Sequence, residues 1–209
     1  MVVAFGWDSP LRGSPQHLAL AEVEAVRYFF VVFLIFSVNV MASETVEYKI
    51  DAKFIDDNDS WAIIEPLWWT VSIYDGEKKY EQDLSKYSKS QRIVFAYHWY
   101  MSEVNNGGHD QFYYNSTGIV WRDAIECFDA IGATEISEII KSSATRLGGS
   151  PSLDRNERND ALEKLEPKFD DLDDRFYKLE SQIDIEKLIK VFISKKKSDF
   201  VFNGKVVKP

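Results

Sequence analysis

Apolar side chains return every three or four residues across most of the chain, and this spacing constrains the fold more strongly than any other feature. It matches one face of an α-helix, where residues at these intervals lie together. The clearest run begins at Ser88, which with Gln91 has the spacing of a capping box. Its apolar positions are Ile93, Tyr97, Tyr100, Met101 and Val104. We predict that this helix ends at residues 105–108, because asparagine and glycine tolerate the left-handed backbone that closes a helix.

Five further stretches carry the same helical spacing. They span residues 121–131, 136–147, 162–165, 172–179 and 185–193. Residues 61–74 are also strongly apolar, but their β-branched and aromatic side chains leave a strand and a helix both open. No stretch shows a strand-like alternation of comparable strength. The sequence therefore predicts an all-α fold, a single multi-helix domain of about six or seven helices.

Residues 1–41 differ from the rest, and we separate them as an N-terminal apolar extension from a domain at residues 42–209. Residues 28–36 form an unbroken apolar run. The run is shorter than the ~20 residues of a membrane helix, and it fits the core of a signal peptide. Three alternatives stay open: a mis-assigned start with Met41 as the natural first residue, a signal-like or anchor segment, and a helix packed on the domain.

The one cysteine of the chain bears on its location. Cys127 cannot form a disulfide within the chain, and this suits a reducing compartment. Its position in a helical pattern favours a plain packed thiol over a reactive one. We expect a cytoplasmic protein, with export or membrane anchoring through residues 28–36 as the alternative.

The chain is acidic, with 34 aspartates and glutamates against 25 lysines and arginines and a net charge of −9. A field of this sign repels nucleic acid and attracts basic partners from a distance. We therefore expect a basic protein as the partner and no direct binding of nucleic acid.

Motifs that carry known chemistry are missing from the sequence. The three histidines, His17, His98 and His109, lack the spacing of a zinc site, and the glycine pairs lack that of a phosphate-binding loop. No Gly-x-Ser-x-Gly motif places a nucleophile on a sharp turn. We therefore expect a non-catalytic protein that uses neither a metal nor another cofactor.

The stretch from Glu103 to Gly118 is dense in amide side chains, which hydrogen-bond backbone groups at turns. Two interpretations remain open. In the first, the stretch is a polar corner that locks two helices together. In the second, it lines a recognition pocket, and an enzyme of unrecognised type would have its centre at the Glu103–Gln111 turn. The residues of that centre would be Glu103, Asn105, Asn106, His109 and Gln111.

A second unusual stretch is acidic and runs from Asp154 to Glu186, with twelve acidic and six basic residues. Like charges three or four positions apart on a helix repel each other by about 0.2–0.5 kcal/mol per pair. Carboxylates at a helix N-terminus regain part of that cost from the helix dipole. The stretch is therefore either a solvated face or a carboxylate array presented to a basic protein. The candidate partner-binding residues are Glu163, Glu166, Asp170, Asp171, Asp173 and Asp174.

Several residues of the two stretches form a recognisable pattern. In the amide-rich stretch they are Glu103, Asn105, Asn106, Gly107, Gly108, Gln111, Phe112, Asn115 and Gly118. In the acidic stretch they are Leu172, Asp173, Phe176 and Tyr177. The pattern resembles the signature of a bacterial family of helical proteins, the DNA-mimic protein DMP family, over roughly residues 61–202. His109 stands where we expect an aromatic or aliphatic side chain.

The resemblance implies an all-helical fold that is often dimeric and has no known catalytic activity, and a structural role for the signature residues. It also implies an acidic binding protein whose carboxylates imitate DNA phosphates and occupy the basic surface of a DNA-binding transcription factor or other regulator. An immunity protein that neutralises a toxin is the alternative. Because lysines at residues 195–197 make the C-terminal part basic, a homodimer could pair the acidic and basic patches head to tail.

Overall fold

The computed structural model describes residues 44–208. Along the chain, its elements are β1 (Glu44–Ile50), α1 (Ala52–Asp57), α2 (Ser60–Thr70), α3 (Gly76–Leu84), α4 (Lys89–Tyr114), a 3₁₀ helix (Ser116–Val120), α5 (Trp121–Ala130), α6 (Thr134–Arg146), α7 (Arg155–Leu165), α8 (Asp170–Glu180), α9 (Ile185–Lys195), α10 (Lys197–Phe200) and β2 (Phe202–Lys208). No helix within this range has both the length and the apolar character needed to cross a membrane. The predictions for residues 1–41 and for His17 lie outside the described residues.

The all-α fold is confirmed, and the described part of the chain contains ten α-helices rather than about six or seven. The additional helices are mostly short: α1, α3 and α10 have 6, 9 and 4 residues. Helices of this length hold too few apolar positions to display a period. The undecided apolar stretch at residues 61–74 forms most of α2, which Asp59 caps by accepting from the Ala62 N–H at 2.8 Å. The capping box of Ser88 and Gln91 is present at the start of α4.

A two-stranded antiparallel sheet joins the two ends of the described chain. β1 and β2 pair in register, with Glu44 opposite Lys208 at one end. Alternate residues turn inward, so that Tyr48, Ile50 and Val206 are buried. No sequence pattern predicts this sheet, because its strands lie at opposite ends of the domain and each has only a few inward positions.

The central helix of the domain is α4, which contacts α2, α5, α7 and α8. Aromatic rings fill the space around it. The ring of Tyr100 packs edge to face against Phe112, Phe128 and Phe176, with centroid distances of 5.2, 5.5 and 5.6 Å. Cys127 is also buried in the core, and burial raises the pKa of its thiol. A packed, protonated thiol is what its position in the helical pattern indicated.

Helix α4 is interrupted at two consecutive glycines. Gly107 has φ −161° and ψ 27°, and Gly108 has φ 69° and ψ −170°. The conformation of Gly108 belongs to a region that is almost restricted to glycine. Helical structure then resumes and continues to Tyr114. The helix end predicted at residues 105–108 is therefore a break inside a longer element, and this break shapes the candidate site.

Candidate functional site

Glu103 precedes the break in α4, and its carboxylate is held by two amides that follow the break. Gln111 Nε2 donates to Glu103 Oε1 at 2.7 Å, and Asn115 Nδ2 donates to the same oxygen at 2.6 Å. Within residues 44–208, no hydrogen bond or ion pair engages the second oxygen, Oε2. The side chain is half-buried. The amides thus fix the carboxylate through one oxygen and leave the other available.

The break at the two glycines makes this arrangement possible. In a straight helix, Gln111 would stand about 12 Å beyond Glu103 along the axis, which is too far for a hydrogen bond between them. The break turns the following residues back toward Glu103. Gly107 also leaves room for this amide, since a Cβ there would lie 2.1 Å from Gln111 Oε1.

The second glycine, Gly108, lies beside α8. The next residue, His109, is joined to α8 by hydrogen bonds that we call the His109–Asp173 clasp. Asp173 Oδ1 accepts from the backbone N–H of His109 at 3.0 Å and also bonds the ring Nδ1. The Nε2 atom of the same ring lies 2.9 Å from the Tyr100 hydroxyl. A Cβ on Gly108 would lie 2.3 Å from Asp173 Oδ2. The clasp therefore ties the break in α4 to the acidic helix α8.

The clasp also explains the unexpected residue in the family pattern. His109 is fully buried, and its ring packs near Tyr100, Phe169 and Phe176. An imidazole can occupy the place of an apolar ring when both of its nitrogens have partners, because these hydrogen bonds offset the cost of burying polar atoms. Asp173 and Tyr100 provide those partners.

Gly118 makes room for a buried arginine that closes the end of α4. Arg158 is fully buried, and burial lowers the pKa of its guanidinium to about 10. It donates to four backbone carbonyls, those of Tyr113, Asn115, Ser152 and Leu153. A Cβ on Gly118 would lie 2.5 Å from Arg158 Nε. Two of these carbonyls, those of Tyr113 and Asn115, lie at the end of α4, where helix geometry leaves carbonyls free to accept from a side chain.

Of the remaining signature residues, some form contacts within the domain and one is exposed to solvent. Asn105 donates to Glu180 Oε1 at 2.7 Å, which adds a second link between α4 and α8. Phe112 is buried in the aromatic core, whereas Asn106 is exposed. Most of these contacts fit the interpretation of the stretch as a polar corner. Glu103 fits the second interpretation as well, because it lines a hollow.

The hollow beside Glu103 has a volume of about 220 Å³ and is called the Glu103 hollow below. Its lining residues are Ile73, Tyr74, Trp99, Glu103, Asn115, Ser116, Thr117 and Arg155. A second hollow of about 420 Å³ adjoins it and shares Ile73, Tyr74, Ser116 and Arg155. No pattern in the sequence marks Tyr74, Trp99 or Arg155 as functional residues. These residues come from three distant segments, and only the fold brings them to Glu103.

The six predicted partner-binding residues have different surroundings. Four of them are exposed and, among residues 44–208, take part in no side-chain hydrogen bond or ion pair. These four are Glu163, Glu166, Asp170 and Asp174, and we call them the acidic face. They lie in the last turn of α7, at its C-terminal cap and in the first turns of α8.

The other two candidates are already engaged within the chain. Asp171 accepts from both terminal nitrogens of Arg146, at 2.5 and 2.7 Å, and this contact lowers the pKa of its carboxyl. Asp173 belongs to the clasp, and its side chain is only 19% exposed. Both residues therefore take part in contacts that position α8.

The N-terminus of α8 accounts for part of the clustering of acids. Asp170, Asp171 and Asp173 lie in its first turn, where the helix dipole favours negative charge. Asp174, Glu163 and Glu166 lie outside that turn. The dipole therefore leaves half of the predicted residues without a structural reason for their charge.

Within residues 44–208, no group of three or more histidines, cysteines, aspartates and glutamates is arranged to hold a metal ion.

Comparison with known proteins gives one family match. Residues 85–196, more than half of the chain, match the family model described as DMP19-like protein. The matched range contains Glu103, both glycines of the break and the whole acidic face. No curated protein and no solved structure matches the chain.

Proposed function

Because the chain belongs to the DMP19-like protein family, we propose that it binds a basic protein in the way that DNA mimics do, through carboxylates placed like phosphates. The family is of the DNA-mimic type and is not a known enzyme family. The partner that we propose is a DNA-binding protein, and the contact surface is the acidic face.

The observation that carries the proposal is that the four carboxylates of the acidic face are exposed and carry no internal partner in the described chain. An internal ion pair would neutralise such a charge before any partner arrived. Duplex DNA carries one charge per ~1.7 Å of its axis, and the proteins that bind it present arrays of lysine and arginine. Unpaired carboxylates on two successive helices suit such an array and accelerate encounter by steering.

The backbone beneath the acidic face is firmly held. Phe169, Leu172 and Phe176 are buried and anchor the start of α8 in the core. Arg146 binds the carbonyl of Lys168 as well as the carboxylate of Asp171. A carboxylate array on a rigid support loses little conformational entropy when it binds.

A capture experiment with a competitor tests the proposal. The full chain is immobilised and exposed to an extract of its native host, and the retained proteins are identified. We expect a DNA-binding protein that duplex DNA and the free chain both displace, and that is released as salt rises, because electrostatic contacts are screened. The chain itself should not retain duplex DNA.

Charge variants localise the contact. The variant of the acidic face is Glu163→Gln, Glu166→Gln, Asp170→Asn and Asp174→Asn. The matched control removes four exposed carboxylates elsewhere, through Glu44→Gln, Glu47→Gln, Glu77→Gln and Glu135→Gln. Both variants change the net charge equally, so only a located contact separates them. Loss of capture in the first variant alone supports the proposal, and equal capture by both overturns the assignment of the face.

A further inference from the structure

Glu103 is an acid of the family signature whose carboxylate is fixed by its neighbours, keeps an unengaged oxygen in the described chain and lines a hollow. We propose that the Glu103 hollow receives an arginine side chain of the basic partner. The proposal rests on the proposed function for the identity of the partner. It adds a second contact, away from the acidic face, and names the side chain that this contact recognises.

The unpaired carboxylate of Glu103 supports a cationic ligand. Within residues 44–208, no lysine or arginine lies within 4.0 Å of the Glu103 carboxylate. Arg155 lines the hollow, but its Nε donates to the Tyr114 carbonyl at 3.0 Å and its guanidinium lies 5.5 Å from the Tyr114 ring centre. The negative charge of Glu103 is therefore not neutralised by an ion pair inside the described chain.

The orientation of the carboxylate supports a specific ligand rather than a diffuse charge effect. Gln111 and Asn115 donate to a single oxygen, so the plane of the carboxylate is set before binding. A donor that arrives at Oε2 meets an acceptor that does not have to reorganise. The break at Gly107 brings both amides within reach of Glu103, so the break orients this carboxylate in addition to packing the helices.

The walls of the hollow favour a guanidinium over an ammonium. Two aromatic residues line the hollow: Tyr74, which is 72% exposed, and Trp99, which also stacks on Trp68. A guanidinium is planar and weakly hydrated, so it stacks on aromatic faces while it donates to a carboxylate. An ammonium is strongly hydrated and loses more on entering a partly apolar hollow. We therefore assign arginine rather than lysine.

Short peptides test the assignment directly. The probes are acetyl-Gly-Arg-Gly-amide, its lysine counterpart and its citrulline counterpart, titrated into the full chain at low salt. Citrulline has the shape of arginine without its charge. The signal is the indole N–H resonance of Trp99 in a ¹H–¹⁵N spectrum, assigned with Trp99→Phe. We expect the arginine peptide to shift this resonance with a saturable curve, the lysine peptide to bind more weakly, and the citrulline peptide to have no effect.

Glu103→Gln is the decisive variant, because it preserves the local geometry. The glutamine carbonyl still accepts from Gln111 and Asn115, and only the second oxygen is replaced by a donor. We expect the affinity for the arginine peptide to fall by about tenfold or more, as loss of a charged hydrogen bond does. Glu77→Gln, an exposed acid on α3, should leave the affinity unchanged. Equal affinity of Glu103→Gln and the unchanged chain, or equal binding of the citrulline peptide, overturns the proposal.

The same peptides separate this proposal from the proposed function. The variant of the acidic face should bind the arginine peptide at the Glu103 hollow with little change, although it no longer captures the DNA-binding protein. If Glu103→Gln binds the peptide normally while the acidic-face variant loses capture, the hollow proposal is wrong and the proposed function stands. If the peptide result is as expected and Glu103→Gln weakens capture while the acidic-face variant does not, the acidic face is wrong and the arginine site stands.

Discussion

His109 and Asp173 are 64 residues apart, yet one carboxylate oxygen of Asp173 accepts from both the backbone N–H and the ring Nδ1 of His109. The first of these bonds satisfies a backbone donor that the break in α4 releases from the helix. The second places the ring so that its Nε2 meets the Tyr100 hydroxyl. One side chain of the acidic helix thereby determines the geometry of the corner.

Removing that side chain should destabilise the domain. Asp173→Ala leaves the backbone N–H and the ring of a fully buried His109 without their acceptor, and we expect a loss of about 2–3 kcal/mol in the free energy of unfolding. Asp174→Ala, on the exposed side of the same helix, should change stability by less than about 0.5 kcal/mol. Urea unfolding of both variants measures the difference. Similar stabilities would mean that the clasp does not hold the corner.

Gly108→Ala should be more damaging than a comparable change at another glycine. Both Gly108 and Gly132 have positive φ, 69° and 80°, so alanine is strained at either position. A Cβ at Gly132 meets nothing within 4 Å, whereas at Gly108 it would lie 2.3 Å from Asp173 Oδ2. We expect a loss of about 1–2 kcal/mol for Gly132→Ala from backbone strain alone. Gly108→Ala should lose more than about 3 kcal/mol, because it also opens the clasp. Equal losses in urea unfolding would contradict this account.

The sequence predicts the helices of this corner and the position of the break, but not the contacts that hold the corner together. The spacing of apolar residues located the helices, and the two glycines marked where α4 is interrupted. A sequence pattern gives the position of a break without showing that the helix resumes after it. Resumption depends on Asp173, which satisfies the His109 N–H from a distant helix. The role of Asp173 cannot be predicted for the same reason: its partner is 64 residues away, and in the sequence Asp173 resembles the neighbouring exposed acids.

The Glu103 hollow was harder to anticipate than the acidic face. The acids of α7 and α8 are close in sequence, so their density is a local signal. Tyr74, Trp99 and Arg155 come from separate parts of the chain and show no shared pattern. The sheet of β1 and β2 was missed for a related reason, because its pairing is visible only when the two ends of the domain meet.

Acid should weaken the domain through a second histidine, which is partly buried. Burial lowers the pKa of His98 to about 4, from an ordinary value near 6.5, and its Nε2 lies 2.9 Å from the Ser60 hydroxyl. Between these two values the unfolded chain binds more protons than the folded one, so stability falls as the pH falls through this window. We expect His98 alone to cost about 2–3 kcal/mol between pH 7 and pH 4.5.

His98→Gln checks this origin. Glutamine keeps a polar partner for Ser60 and does not titrate. Urea unfolding at pH 7, 6, 5 and 4.5 should show a shallower loss of stability in the variant than in the unchanged chain. Parallel pH profiles would assign the acid sensitivity to the carboxylates instead.

Gly107→Ala should separate the stability of the corner from its capacity to bind. The φ of Gly107, −161°, is available to any residue, so alanine introduces no backbone strain there. The added Cβ would lie 2.1 Å from Gln111 Oε1 and 3.0 Å from Gln111 Cβ, so the amide must rotate away, and we expect about 1 kcal/mol of lost stability. Rotation of Gln111 removes one of the two donors that orient Glu103. The affinity of the Glu103 hollow for the arginine peptide should therefore fall, and Gln111→Ala should reduce it to the same extent.

The double variant should lose no more affinity than either single variant, because both substitutions act through one hydrogen bond. Unchanged peptide affinity in Gly107→Ala would show that Glu103 does not depend on this amide for its orientation.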